Sequence, residues 1–94
     1  MIRILVADDH DIVRQGIMGL LSREPEFEVV GEANNGVTAV ELARELQPDV
    51  VLMDLTIPEL NGIEATAQIV GIKPRPNVIV LTMHQDRSHI RRAF

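Results

Sequence analysis

Short apolar runs alternate with amphipathic stretches from one end of this chain to the other, and that alternation restricts the possible architectures more than any other feature. "IRILVA", residues 2 to 7, is apolar and bounded by charge, as a buried strand is. "DIVRQGIMGLLSRE" then sets Val13, Ile17, Leu20 and Leu21 at helical spacing, with Asp11 as a cap and Pro25 just past the end. The pattern repeats with a strand at "FEVVGEA" and a helix at "NNGVTAVELAREL", entered through Asn34 and Asn35, with Val37, Val40 and Ala43 inward and Leu46 a candidate fourth. Pro48 stops that helix, and "VVLMD" follows as a strand apolar enough to be covered on both faces. "NGIEATAQIV" reads as a short helix after a turn at Pro58 and Asn61-Gly62, "NVIVLT" as a fourth strand, and "DRSHIRRAF" as the start of a fourth helix. Strands alternating with helices predict an α/β fold with a parallel sheet and helices on both faces.

At 94 residues, the chain has room for one domain and no second module. Nine basic residues against 14 acidic ones give a net charge of -5, which repels a phosphate backbone, and no basic stripe or aromatic platform offers itself to nucleic acid. There is no cysteine, so disulfides and thiol chemistry are excluded. The apolar run "ILVA" between Arg3 and Asp8-Asp9 is too short for a signal sequence or a membrane span. The expectation is a soluble, cytoplasmic protein without a membrane partner.

Ligands of an open parallel sheet bind outside the carboxyl ends of its strands, so the polar residues that end the strands are the candidates. The first strand ends in Asp8-Asp9, the third in Asp54 and the fourth in Thr82. Taken singly, such an aspartate is usually a turn former or a cap. Three of them at carboxyl ends, with the first and third strands adjacent, would converge in one site together with the threonine hydroxyl. Like charges so close oppose folding unless a cation or a proton intervenes, and a divalent cation is the evident remedy. Hard oxygen donors with room for water suit Mg²⁺, and an Mg²⁺ site of this kind suits phosphoryl chemistry.

Three separated segments, "ILVADDH", "VVLMDLTIPELNG" and "VIVLTMH", occur here in the order and spacing of a known family. The chain resembles the receiver domain of bacterial two-component response regulators, and "LVADDHDIVRQGI" with "LTMH" is most similar to the NarL/FixJ-type subfamily whose receiver precedes a LuxR-like helix-turn-helix domain. The resemblance implies a flavodoxin-like doubly wound sheet of order 2-1-3-4. It implies Asp54 as the nucleophile that accepts a phosphoryl group from a phosphohistidine on a sensor histidine kinase. Asp9 would bind Mg²⁺ directly, Asp8 mainly through water, and the backbone carbonyl of Thr56 would supply another metal ligand. Thr82 would hydrogen-bond the phosphoryl group and shift inward on activation. DNA would be reached only indirectly, through a domain not in this chain.

The family pattern also includes a fifth strand ending in a lysine that pairs with the phosphoryl group. Here the chain stops at Phe94, and its only lysine, Lys73, precedes the fourth strand. The expectation is a receiver truncated before its fifth strand. Loss of a preorganised donor costs roughly 3 to 4 kcal/mol in enzymes, which would make phosphorylation slow or undetectable. "NVIVLTM" would become an apolar open edge, favouring self-association. The missing lysine is the feature that favours the alternative to this leading reading, a phosphorylation-independent docking or dimerisation module. A phosphatase with an aspartyl-phosphate intermediate fits less well, because Thr56 stands where that family carries a second aspartate.

Other residues read as scaffold. His84 and His89 are poorly spaced for one helical face, and with His10 they are expected to be solvated loop histidines. Arg91 and Arg92 suit a late helical turn, Met18, Met53 and Met83 suit core filling, and Asn34-Asn35-Gly36 is a helix entry rather than a phosphate loop.

Overall fold

In the computed structural model, which describes residues 1–54, 62–73 and 76–81, the alternation becomes β1 (Ile2–Ala7), α1 (Asp11–Leu21), β2 (Phe27–Ala33), α2 (Gly36–Leu46), β3 (Val50–Asp54), α3 (Gly62–Ile69) and β4 (Asn77–Leu81). All strand pairs are parallel and the order is β2-β1-β3-β4, as expected for the doubly wound sheet. Pro58, Asn61, Met83, His84, His89, Arg91, Arg92 and the expected fourth helix lie outside the described residues.

Side chains of a strand alternate between faces, and that period divides the core. Leu5, Ala7, Val51 and Met53 join Ala39, Val40 and Ala43 of α2 and Ala65 and Ile69 of α3 in one cluster. Ile4 and Val6 point the other way and are buried too, beneath α1, which packs on β1 and β2. Burial on both faces makes β1 the centre of the fold. Full removal of a side chain such as Leu5 from water contributes about 1.5–3 kcal/mol. β3 departs from the expectation of two covered faces. Val51 and Met53 are buried, but Val50 and Leu52 are only half-buried, because the described contacts of α1 are to β1 and β2.

The helices begin and end for local reasons. Asn35 caps α2 by accepting the Thr38 N–H at 2.8 Å, and α2 ends where Gln47 takes a left-handed conformation (φ 49°) just before Pro48. Val37, expected inward, is exposed: the buried stripe runs through Gly36, Ala39, Val40 and Ala43. In α1 the expected cap is corrected as well. His10 is the N-cap residue, with no side-chain cap bond, and Asp11 is the first helical residue. Leu20 is exposed, while Val13, Ile17, Met18 and Leu21 are half-buried around a buried Arg14.

Two further features set the strand positions. Between Ile4 and Leu5 the β1–β2 register jumps from Val29 to Gly31, so Val30 is an extra residue in β2, a β-bulge. Gly31 then lies against α2: a Cβ there would come within 2.8 Å of Leu46 Cδ1 and 3.4 Å of Leu5 Cδ1. At the amino end of the sheet Asp49 ties three strands together. Its carboxylate accepts the Arg3 N–H at 2.8 Å, its own N–H donates to the Arg3 carbonyl, and its carbonyl accepts from Asn77. Lys73 is exposed and precedes β4, at this same end.

Candidate functional site

Strand register alone brings the carboxylates together. Ala7 of β1 pairs with Met53 of β3, so the next residue on each strand, Asp8 and Asp54, emerges beside the other at the carboxyl edge. Both are buried, at 2% and 1% relative exposure. Asp8 is held on three sides. Its N–H donates to the Ala33 carbonyl at 2.9 Å, extending the β2 ladder. Its Oδ1 accepts the His10 N–H at 2.8 Å, which turns the chain out of the strand and toward α1. Its carbonyl accepts from Arg14 Nη1 at 2.8 Å.

One donor atom from each of Asp8, Asp9, His10 and Asp54 lies within 4.8 Å of the others. His10 Nδ1 is 3.0 Å from Asp9 Oδ1, 3.1 Å from Asp8 Oδ1 and 3.8 Å from Asp54 Oδ2. The hydrogen bond to Asp8, followed by the charge of Asp9, raises the imidazole above its usual pKa. Half-exposed, this histidine was expected as a solvated loop residue; instead its ring leans on the acidic cluster. Asp8 Oδ2 is buried without a hydrogen-bond partner among the described residues. A buried carboxylate oxygen left open, in a set of hard oxygen donors, fits a divalent cation.

Arg14 is the second residue missed from sequence. Its guanidinium donates Nε to Glu32 at 2.7 Å and Nη2 to Asp11 at 2.7 Å, besides the bond to Asp8. It therefore ties the loop after β1 to the end of β2 and to the first turn of α1. A cleft of about 220 Å³ lined by Arg14, Glu32, Ala33, Asn34 and Thr38 lies along this network. A charged residue in the half-buried stripe of Val13, Ile17, Met18 and Leu21 was the available signal. Thr56 and Thr82, the remaining expected site residues, lie outside the described residues.

A family model described as the response regulator receiver domain matches residues 4–94. The chain is 44% identical over 89 residues to the transcriptional regulatory protein DegU of Brevibacillus brevis, covering 95% of this chain and 38% of that protein. It is 50% identical over 86 residues to the transcriptional regulatory protein LiaR of Bacillus subtilis, covering 92% and 41%. The chain thus spans about two-fifths of the length of these curated relatives. Among solved structures, a two-component response regulator of the LuxR family from Aurantimonas superposes with a TM-score of 0.83 at 43% identity, covering 94% of this chain and 63% of that one. Among the described residues no helix is long and apolar enough to cross a membrane.

Proposed function

Because the chain belongs to the response regulator receiver domain family, we propose that it works as a phosphoryl switch in which Asp54 accepts a phosphoryl group from the phosphohistidine of a sensor histidine kinase. The observation that carries this reading is the convergence of Asp8, Asp9 and Asp54 at the carboxyl ends of two adjacent strands. An Asp54 carboxylate oxygen attacks phosphorus, the P–N bond of the donor breaks as the P–O bond forms, and the departing imidazole nitrogen takes up a proton. Such a transfer asks the protein for position and charge compensation rather than covalent chemistry. Position comes from β3, where buried Val51 and Met53 hold the strand that ends in Asp54.

Asp8, Asp9 and Asp54 would hold Mg²⁺, with the Thr56 carbonyl as a further ligand; the bound ion would offset the carboxylates and the charge of the entering phosphoryl group. Phosphorylated Asp54 would carry nearly two added negative charges and new acceptor oxygens, which Thr82 would meet by hydrogen bonding. The chain would act as a signalling module, not a metabolic enzyme. It reaches DNA only through a separate domain, as its transcriptional relatives suggest. Incubation with Mg²⁺ and a small acyl phosphate, followed by intact mass measurement, tests the proposal: a single phosphoryl adduct on the parent and none on Asp54→Asn is the expected result. Labelling of both alike would remove Asp54 from its role.

Self-association through β4 is a second part of the proposal. Among the described residues β4 has a strand neighbour, β3, on one side only, and Ile79, beside Leu52 on the sheet face, is 50% exposed. A strand edge unpaired among the described residues is a template for a second copy. Light scattering across a concentration series should show dimer or larger species, and a monomer at every concentration would refute it.

A further inference from the structure

We propose that His10 is itself a metal ligand, so that with Asp8, Asp9 and Asp54 it makes a set of three carboxylates and one imidazole that takes a borderline first-row divalent cation such as Ni²⁺ or Co²⁺ in preference to Mg²⁺. This rests on the acidic cluster being a divalent-cation site, and it adds the donor that decides which cation. The distances fit one ion. Donor atoms roughly 2.1 Å from a six-coordinate ion stand about 3.0 Å apart when adjacent and about 4.2 Å when opposite. Nδ1 lies 3.0 Å and 3.1 Å from the oxygens of Asp9 and Asp8, and 3.8 Å from that of Asp54. All four donor atoms fall within 4.8 Å, so movements of a few tenths of an ångström close them on one ion.

The chemistry points the same way. Mg²⁺ prefers oxygen and holds its water, whereas imidazole suits later first-row ions, whose affinities rise along the series toward Cu²⁺. The ring is already preorganised: His10 N–H is bonded to Asp8 Oδ1 at 2.8 Å, which fixes the backbone that carries it. The unpartnered, buried Asp8 Oδ2 leaves a second oxygen of the same carboxylate open to an ion.

Calorimetric titration of the whole chain with NiCl₂ and with MgCl₂ tests the proposal, in a His84→Asn, His89→Asn background so that His10 is the remaining histidine of the three. The comparison is with His10→Phe, which keeps a ring without nitrogen, and with His10→Ala, each checked for folding by circular dichroism. Both variants should lose about tenfold or more in Ni²⁺ affinity while Mg²⁺ affinity changes less than about threefold. Substoichiometric Ni²⁺ should also broaden the His10 ring signals selectively in the NMR spectrum. Unchanged Ni²⁺ affinity, or equal losses for both ions, would overturn the role of His10. Asp9→Asn separates the two levels: if it weakens both ions while His10→Phe weakens neither, the carboxylate site stands and the imidazole ligand falls; if it weakens neither, both readings fail.

Discussion

Arg14→Met should be among the most damaging single substitutions outside the apolar core. Methionine retains most of the side-chain stem, so the change isolates the guanidinium. That group is 10% exposed and serves Asp8 O, Glu32 and Asp11. Its removal strands the Asp8 carbonyl, a buried acceptor, at about 1–3 kcal/mol. Glu32 and Asp11 are 42% and 80% exposed and regain water, so each lost ion pair costs only about 0–1 kcal/mol. The sum centres near 3 kcal/mol, which at about 4–8 °C per kcal/mol in a domain of this size lowers Tm by about 12–24 °C. The chain has no Trp or Tyr, so urea unfolding followed by far-ultraviolet circular dichroism is the suitable assay. Glu32→Gln and Asp11→Asn, measured alongside, should each cost less than about 1 kcal/mol. A loss below about 0.5 kcal/mol for Arg14→Met, or an equal loss for Glu32→Gln, would refute the assignment of the main cost to the Asp8 carbonyl.

Gln47→Gly should stabilise the chain by about 0.5–1 kcal/mol in the same assay, because glycine accepts the left-handed conformation without penalty and the Arg3 bond to the Gln47 carbonyl is kept. Leu5→Ala should cost about 2–5 kcal/mol, since Leu5 is fully buried in the cluster beneath α2. His10 is raised in the folded state by Asp8 and then Asp9, so its stabilising contribution is complete below pH 6.5 and disappears as pH rises through its folded pKa; the Tm difference between parent and His10→Ala should be present at acid pH and close on the alkaline side, and a gap that widened with pH would contradict the sign. Mg²⁺ at ten times its Kd should raise stability by about 1.4 kcal/mol in the parent and by much less in Asp9→Asn.

The strands were legible because each is a short apolar run set off by charge, proline or asparagine, and the strand-end carboxylates were legible with them. Which apolar residues of a helix turn inward was harder to read. α1 carries Ile12, Val13, Ile17, Met18, Leu20 and Leu21, enough to draw more than one stripe, and only packing on β1 and β2 leaves Leu20 outside. Val37 failed for a related reason: the small residues Ala39 and Ala43 let α2 approach the sheet closely, and the inward face follows them rather than the larger valine. His10 and Arg14 each have near partners in the sequence and one partner from a further strand, Asp54 and Glu32. Nothing near Arg14 in the sequence shows that Glu32 will stand 2.7 Å away, and nothing near His10 shows that Asp54 emerges opposite. Those meetings are decided by register.

The extra residue Val30 has a consequence for that register. In a regular ladder from Ile4 and Val29, Leu5 would meet Val30 and Ala7 would meet Glu32, turning the glutamate toward the alanines of α2. The bulge reverses the parity of the last three strand residues: Gly31 takes the face of Leu5, Glu32 takes the face of Val6 on the side of α1, and Ala33 returns beneath α2. Deletion of Val30 would preserve this arrangement, because Val29 and Gly31 would then pair with Ile4 and Leu5 without a break. An insertion between Gly31 and Glu32 would instead send the carboxylate to the wrong side and leave Arg14 facing a side chain of different chemistry. Insertions and deletions at neighbouring positions of one strand are therefore not equivalent: the strand tolerates a shorter form at Val30, and is closed to a longer one a single residue later.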